Sequence, residues 1–279
     1  MITPDDLALM TEEEKVEFIR TTAESSEWQE CFEPLYVRLM DDESPRVREE
    51  AIAALWDIAE PRHIEMLIEK ARRDPSVEVR AKAVSVLGIF IYEAVVNYDL
   101  DQSQYLAVRN FLLGLANDPD QDLLIRRMAI EALSFDTDEE VQSLIAWAYE
   151  QESVEMRMSA LFAMGRSRSA RWHDIILAEM ESDERRLRLE AINAAGEAEI
   201  QEATPRLRVL TRHPDAEIRV AAIWALGRIR GPGALETLEM CAQSPDEEVR
   251  RAALDALDEY YGASEHEDEE FDDTEDDEE

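Results

Sequence analysis

The sequence predicts an all-α repeat array, an α-solenoid of stacked helix pairs, and three observations carry that prediction. First, seven short stretches repeat one pattern: Val47-Arg48-x-x-Ala51-Ile52, Val79-Arg80-x-x-Ala83-Val84, Ile125-Arg126-x-x-Ala129-Ile130, Met156-Arg157-x-x-Ala160-Leu161, Leu187-Arg188-x-x-Ala191-Ile192, Ile218-Arg219-x-x-Ala222-Ile223 and Val249-Arg250-x-x-Ala253-Leu254. Second, the arginines of the last five copies stand 31 residues apart, and a fixed period near thirty residues marks a solenoid. Third, with the arginine as position zero, apolar or small residues fall at −1, +3, +4 and +7, as in Ile218, Ala222, Ile223 and Leu226. That spacing is one face of a helix and fits no strand period.

Each motif helix has a start signal and a partner. Ser44-Pro45, Asp74-Pro75, Asp118-Pro119, His213-Pro214 and Ser244-Pro245 precede the arginines. Asp or Ser there is expected to cap free backbone N–H groups, with Pro in the first turn. His213 caps poorly, so Asp215 is the expected cap in that copy. Second helices are expected over Ile64–Ala71, Val141–Tyr149, Asp174–Met180, Leu207–Leu210 and Leu235–Cys241. One such pair cannot bury its apolar faces alone, whereas a stack makes a continuous core.

From the N-terminus, residues 1–41 read as a helical cap that lacks the motif. Thr3-Pro4-Asp5-Asp6 opens a short helix, and Thr11-Glu12-Glu13-Glu14 is a capping box for Glu12–Thr22, with Val16, Phe18 and Ile19 inward. A third helix is expected from Ser26 or Glu27 through Trp28, Phe32, Leu35 and Leu39, kinked or broken at Pro34. The array covers 42–262. Its second copy carries an insertion at about 89–117: Ile89–Val96 prolong the first helix, Tyr98-Asp99-Leu100-Asp101 turn the chain, and Gln104–Ala116 form a long partner. Insertions of this kind map to a loop on one face. The last helix is expected to end at Tyr261, capped by Gly262. Residues 263–279 change to Glu and Asp and are expected to be an acidic disordered tail.

The pattern Asp-Pro-x-x-x-Val-Arg-x-x-Ala-Val-x-x-Leu-Gly at residues 74–88 resembles a HEAT repeat. The 31-residue period is similar to the short HEAT-like class found in phycobilin lyase subunits. The resemblance implies a right-handed superhelix of HEAT-like helix pairs whose motif helices line the concave side. It implies a protein-binding scaffold or adaptor, with a chromophore-handling subunit like the phycobilin lyases as the alternative. Deoxyhypusine hydroxylase, a HEAT-like enzyme, binds iron through His-Glu pairs; the one such pair here is His266-Glu267, in the tail, so that activity is not expected.

Composition narrows the function further. The 279 residues hold 66 acids and 29 Lys or Arg, a formal charge of −37. Glu265–Glu279 contribute 12 acids and no base, so the remaining body is itself near −25. Such a surface repels duplex nucleic acid, which also argues against a HEAT-like DNA glycosylase. A basic protein partner is expected. Cys31 and Cys241 lie far apart in the stack, there is no CxxC pattern, and no apolar run approaches a membrane span. The expectation is a cytoplasmic protein without cofactor, metal or catalytic residues, and its oligomeric state stays open.

The repeated arginine lies at the edge of the apolar face. Its periodicity points to a structural ladder of Arg–carboxylate pairs rather than to ligand contacts. Candidate partner-binding residues come from positions +5 and +9, which point away from the apolar face: Phe162 and Arg166, Asn193 and Glu197, Trp224 and Arg228. Large aromatics gain little by facing water, and Trp, Phe and Arg form binding hot spots. The alternative is that Phe162 and Trp224 pack against adjacent repeats.

Overall fold

The computed structural model describes residues 4–24 and 29–272, with side chains over 6–24 and 31–262. Those residues are helical apart from turns and short connections, and they divide into two compact units, 1–148 and 149–279.

In the first unit, α1 (Pro4–Leu9) and α2 (Glu12–Ala23) open the chain. Thr11 accepts from the Glu14 N–H while the Glu14 carboxylate accepts from the Thr11 N–H, so the capping box forms as expected. Val16, Phe18 and Ile19 are buried. Thr3 and the start of the third helix at Ser26, Glu27 and Trp28 lie outside the described residues. Pro34 sits inside an uninterrupted α3 (Gln29–Leu39), so it marks no break. Its Leu35, Tyr36 and Leu39 are buried, and packing on one face holds the helix across the proline.

The motif helices of this unit are α4 (Pro45–Ala53), α6 (Val77–Tyr92) and α8 (Leu123–Ala132); their partners are α5 (Ile64–Arg73), α7 (Gln102–Asn117) and α9 (Glu139–Tyr149). The insertion takes the form its sequence indicates. α6 runs on to Tyr92, a π-helical turn spans Glu93–Asn97, Tyr98 is left-handed (φ 57°), and α7 follows. Helix α7 brings an ionic cluster with it, its Arg109 and Asp136 buried and its Asp138 and Glu140 exposed. Arg109 donates to Asp136 (2.7 Å), Asp138 (3.1 Å) and Glu140 (3.0 Å), and Tyr105 donates to Asp136 (3.0 Å). Burial, then the Asp136 charge beside it, push the Tyr105 phenol up to about 12.

The second unit is regular. Motif helices α10 (Val154–Arg166), α12 (Arg185–Glu197), α14 (Ala216–Ile229) and α16 (Glu247–Asp272) pack in sequence, with α11 (His173–Glu179), α13 (Thr204–Leu210) and α15 (Ala234–Cys241) between them. Helix α16 continues past Gly262 instead of stopping there. Glu and Asp do not break a helix, and Gly262 has no neighbour within 4 Å that would bend the chain away. Residues 273–279, the end of the expected disordered tail, lie outside the described residues.

Small residues set the helix spacing. Glycine at +8 faces alanine at +6 of the next motif helix. A Cβ on Gly165 would stand 2.7 Å from the Ala194 Cα, one on Gly196 3.1 Å from that of Ala225, and one on Gly227 3.2 Å from that of Ala256. In the first unit Gly88 meets Ala132 in the same way, at 3.0 Å. Three residues at +11 of the second unit, Arg168, Glu199 and Arg230, are left-handed, with φ of 49°, 51° and 52°. They end their helices where glycine is usual, and the Ile200 N–H reaches back to the Ala195 carbonyl (3.0 Å) in a Schellman closure.

Two expectations about the loops need correction. In three copies the residue before proline, expected to cap the helix, does not. Ser76, Asp122 and Asp246 cap α6, α8 and α16, two to four residues later. Asp74, Asp118 and Ser244 instead accept the N–H two residues on, each closing a tight local turn ahead of the helix. Ser44 and Asp215 cap as expected.

The arginine ladder is structural, but its recurring partner is a carbonyl. Arg48, Arg80, Arg188, Arg219 and Arg250 each donate to the carbonyl six residues earlier: Asp42, Asp74, Ser182, His213 and Ser244. Carboxylates join in some copies. Arg48 grips buried Asp74 at 2.8 and 2.7 Å, Arg157 meets Glu179 (2.5 Å) and Arg219 meets Asp246 (3.0 Å). Arg188 has His213 at the equivalent place (3.3 Å), and Arg126 donates to the Ala116 carbonyl while its guanidinium lies over Trp147. In those five copies the arginine ties down its own inter-repeat loop, whose carbonyls cannot pair within a helix.

Candidate binding cleft on the motif helices

The three motif helices that supplied the candidate residues lie side by side in the second unit, α12 packing against both α10 and α14. On α12, Glu190, Asn193, Ala194 and Glu197 follow the i, i+3, i+4, i+7 spacing and form one stripe. Phe162 of α10 and Trp224 of α14 flank that stripe, and these six residues line one open cleft of about 330 Å³. Two rings from alternate repeats therefore share a space whose floor belongs to the repeat between them.

Trp224 reaches the cleft because position 196 has no side chain. A Cβ on Gly196 would stand 2.5 Å from Cζ3 of the Trp224 ring. The indole thus lies across the backbone of α12, packed against the neighbouring repeat and open to the cleft at once. All six candidates are half-buried, so positions +5 and +9 do not project freely into solvent. The close helix spacing set by the Gly–Ala contacts covers one side of each.

The structure brings four of the six together: Phe162, Asn193, Glu197 and Trp224. The other two are engaged beside them. The Arg166 guanidinium lies 5.2 Å from the centre of the Phe162 ring, a cation–π stack. Arg228 donates to Glu259 at 2.8 Å and lies 3.7 Å from Glu199. The Glu259 bond raises the Arg228 guanidinium above its ordinary value despite burial. Glu190 and Ala194 were not among the candidates. Their signal was available in the sequence, since Glu190 lies seven residues before Glu197 on the same helical stripe.

Among the described residues, no group of three or more His, Cys, Asp or Glu side chains is placed to hold a metal ion, and no helix is long and apolar enough to cross a membrane. His63 is buried, its Nδ1 accepting from the Glu60 N–H (3.0 Å) and its Nε2 2.7 Å from Glu33, a structural placement.

No curated protein matches the chain. Solved structures do. The complex of CpcE and CpcF of phycocyanin lyase from Nostoc sp. matches with a TM-score of 0.53 and 18% identity, over 81% of this chain and 86% of that one. A Kap95p structure with RanGDP matches with a TM-score of 0.50 and 12% identity, over 87% and 37%. Human deoxyhypusine hydroxylase in complex with glycerol aligns over 90% and 97%, at 19% identity and a TM-score of 0.39. These likenesses concern the fold. Residues 32–98 and 173–258, more than half of the sequence, match the family of HEAT repeats. With the helix pairs, the repeated arginine and the matched segments in agreement, the chain belongs to the HEAT-repeat family, whose fold commonly mediates protein binding.

Proposed function

We propose that this protein is a non-catalytic binding array that takes a basic segment of a protein partner on the motif-helix face of residues 149–279. The observation that carries this reading is the convergence of Phe162, Asn193, Glu197 and Trp224 from three consecutive repeats onto one cleft. Half-exposed aromatics at the centre of a rigid helical surface are the residues from which binding energy is usually drawn. The formal charge of −37 favours a basic partner and a salt-dependent encounter.

The test compares the wild-type chain with a Phe162→Ser, Trp224→Gln double variant as baits for host proteins at low and high salt. A partner held by wild type at low salt, released at high salt and lost by the variant supports the reading. Binding should weaken by roughly 2 kcal/mol or more. A partner held equally by both baits moves the interface elsewhere. A bilin recovered with the purified protein would favour the chromophore-handling alternative.

A further inference from the structure

The cleft has a more specific chemistry than a general hot spot. Aromatic rings line two sides of it, its floor carries an amide, and a carboxylate stands near each end, since Glu190 and Glu197 are seven residues apart on α12. Seven residues of helix rise about 10 Å. A long aliphatic stem ending in a flat cation fits that layout, with the stem between the rings and the head at a carboxylate. A volume of about 330 Å³ lies at the small end of the range for ligand sites. It suits one side chain rather than a folded surface.

Arginine stacking on aromatic rings already recurs within the molecule. Arginine lies over Phe111, Trp147, Tyr149, Phe162 and Trp172, at 5.0 to 5.3 Å from the ring centres. Trp147 and Trp172 thus each carry an arginine of the chain, whereas Trp224 faces the cleft with no arginine of the described residues over it. One side of Phe162 is covered by Arg166. A guanidinium is planar, stacks on aromatic faces and pairs with carboxylates in fixed geometry, while an ammonium is a compact and strongly hydrated point charge.

Resting on the reading above that the partner is basic, we infer that the cleft between Phe162 and Trp224 is a socket for a single arginine side chain of an extended partner segment. The guanidinium stacks on Trp224 and meets the Glu197 carboxylate, and Asn193 offers its side-chain amide oxygen to a remaining N–H.

The test uses three fluorescent twelve-residue peptides of Gly, Ser and four evenly spaced variable residues: arginine, lysine, or the neutral isostere citrulline. Anisotropy titrations with the full chain should show the arginine peptide binding at least tenfold more tightly than the citrulline one and several-fold more tightly than the lysine one. Trp224→Leu and Glu197→Gln should each weaken the arginine peptide roughly fivefold or more and narrow its advantage over lysine. Glu197 is half-exposed, so Glu197→Gln remains informative should Trp224→Leu disturb the helix packing. Equal binding of arginine and lysine peptides, unmoved by either substitution, overturns the socket and leaves the basic-partner reading standing. Failure of both basic peptides to bind at low salt overturns both.

Discussion

The two units solve one packing problem with different amounts of regularity. In residues 149–279 the joints repeat: Gly165 on Ala194, Gly196 on Ala225, Gly227 on Ala256, with Arg168, Glu199 and Arg230 turning left-handed at one register position. In residues 1–148 only Gly88 on Ala132 repeats that joint, and the insertion adds a long helix whose Arg109 is buried against Asp136. Where the period holds, close contact between small residues keeps neighbouring helices in place. Where it breaks, the buried Arg109–Asp136 pair takes over part of that task. Stability in the first unit should therefore be sensitive to charge, and in the second to volume.

The largest expected effect lies in the first unit. Arg109→Leu strands Asp136, whose side chain is 5% exposed, and should lower unfolding free energy by about 3–5 kcal/mol in urea titrations. A loss below 1 kcal/mol would show that the cluster is solvated and the contrast between units overstated. Next comes Gly165→Ala in the second unit. Alanine gains up to ~1 kcal/mol in helix propensity, but its Cβ would collide with the α12 backbone, so a net loss of about 1–3 kcal/mol is expected. Arg188→Ala should cost only about 1 kcal/mol, because this copy of the ladder bonds the Ser182 carbonyl and His213 and no carboxylate.

Gly114→Ala reverses the sign. Gly114 lies inside α7, a Cβ placed there would meet nothing within 4 Å, and alanine should raise the unfolding free energy by roughly 0.5–1 kcal/mol. The opposite responses of two helical glycines, one per unit, are the sharpest check on the comparison. The smallest effect is that of Arg168→Gly. Relief of the left-handed backbone and loss of the exposed pair with Glu199 (3.2 Å) nearly offset, for a net gain of about 0.5 kcal/mol by thermal melting.

Periodicity was legible in the sequence because it is what burial demands: the −1, +3, +4, +7 pattern located the motif helices, and the insertion was visible as a break in that period. What escaped was carried by backbone groups. The carbonyl that most of the arginines grip has no letter in the sequence, and neither does the N–H that Asp74 takes from Ser76, which moved the caps by two to four residues. The left-handed +11 position is filled by Arg, Glu and Arg, so no glycine announced it. Arg109 stands outside the repeat register, and nothing in its neighbours marked it as buried. At the cleft, helical spacing found Phe162, Asn193, Glu197 and Trp224. That Trp224 fits where it does depends on a missing Cβ one repeat away.

The glycine-on-alanine joint also bears on how such a protein changes over generations. The alanine half stands at +6 of the copies at Arg188, Arg219 and Arg250 and the glycine half at +8 of those at Arg157, Arg188 and Arg219, so the faces of the inner repeats match one another. Loss of the copy from Glu184 to Pro214 would set Gly165 against Ala225 and rebuild an equivalent contact. The same deletion would remove Asn193 and Glu197 and make Phe162 and Trp224 neighbours. Copying and excision in whole periods can therefore reshuffle which side chains share a cleft while the scaffold beneath them stays compatible, and recognition in such a lineage can evolve by recombination before any contact residue mutates.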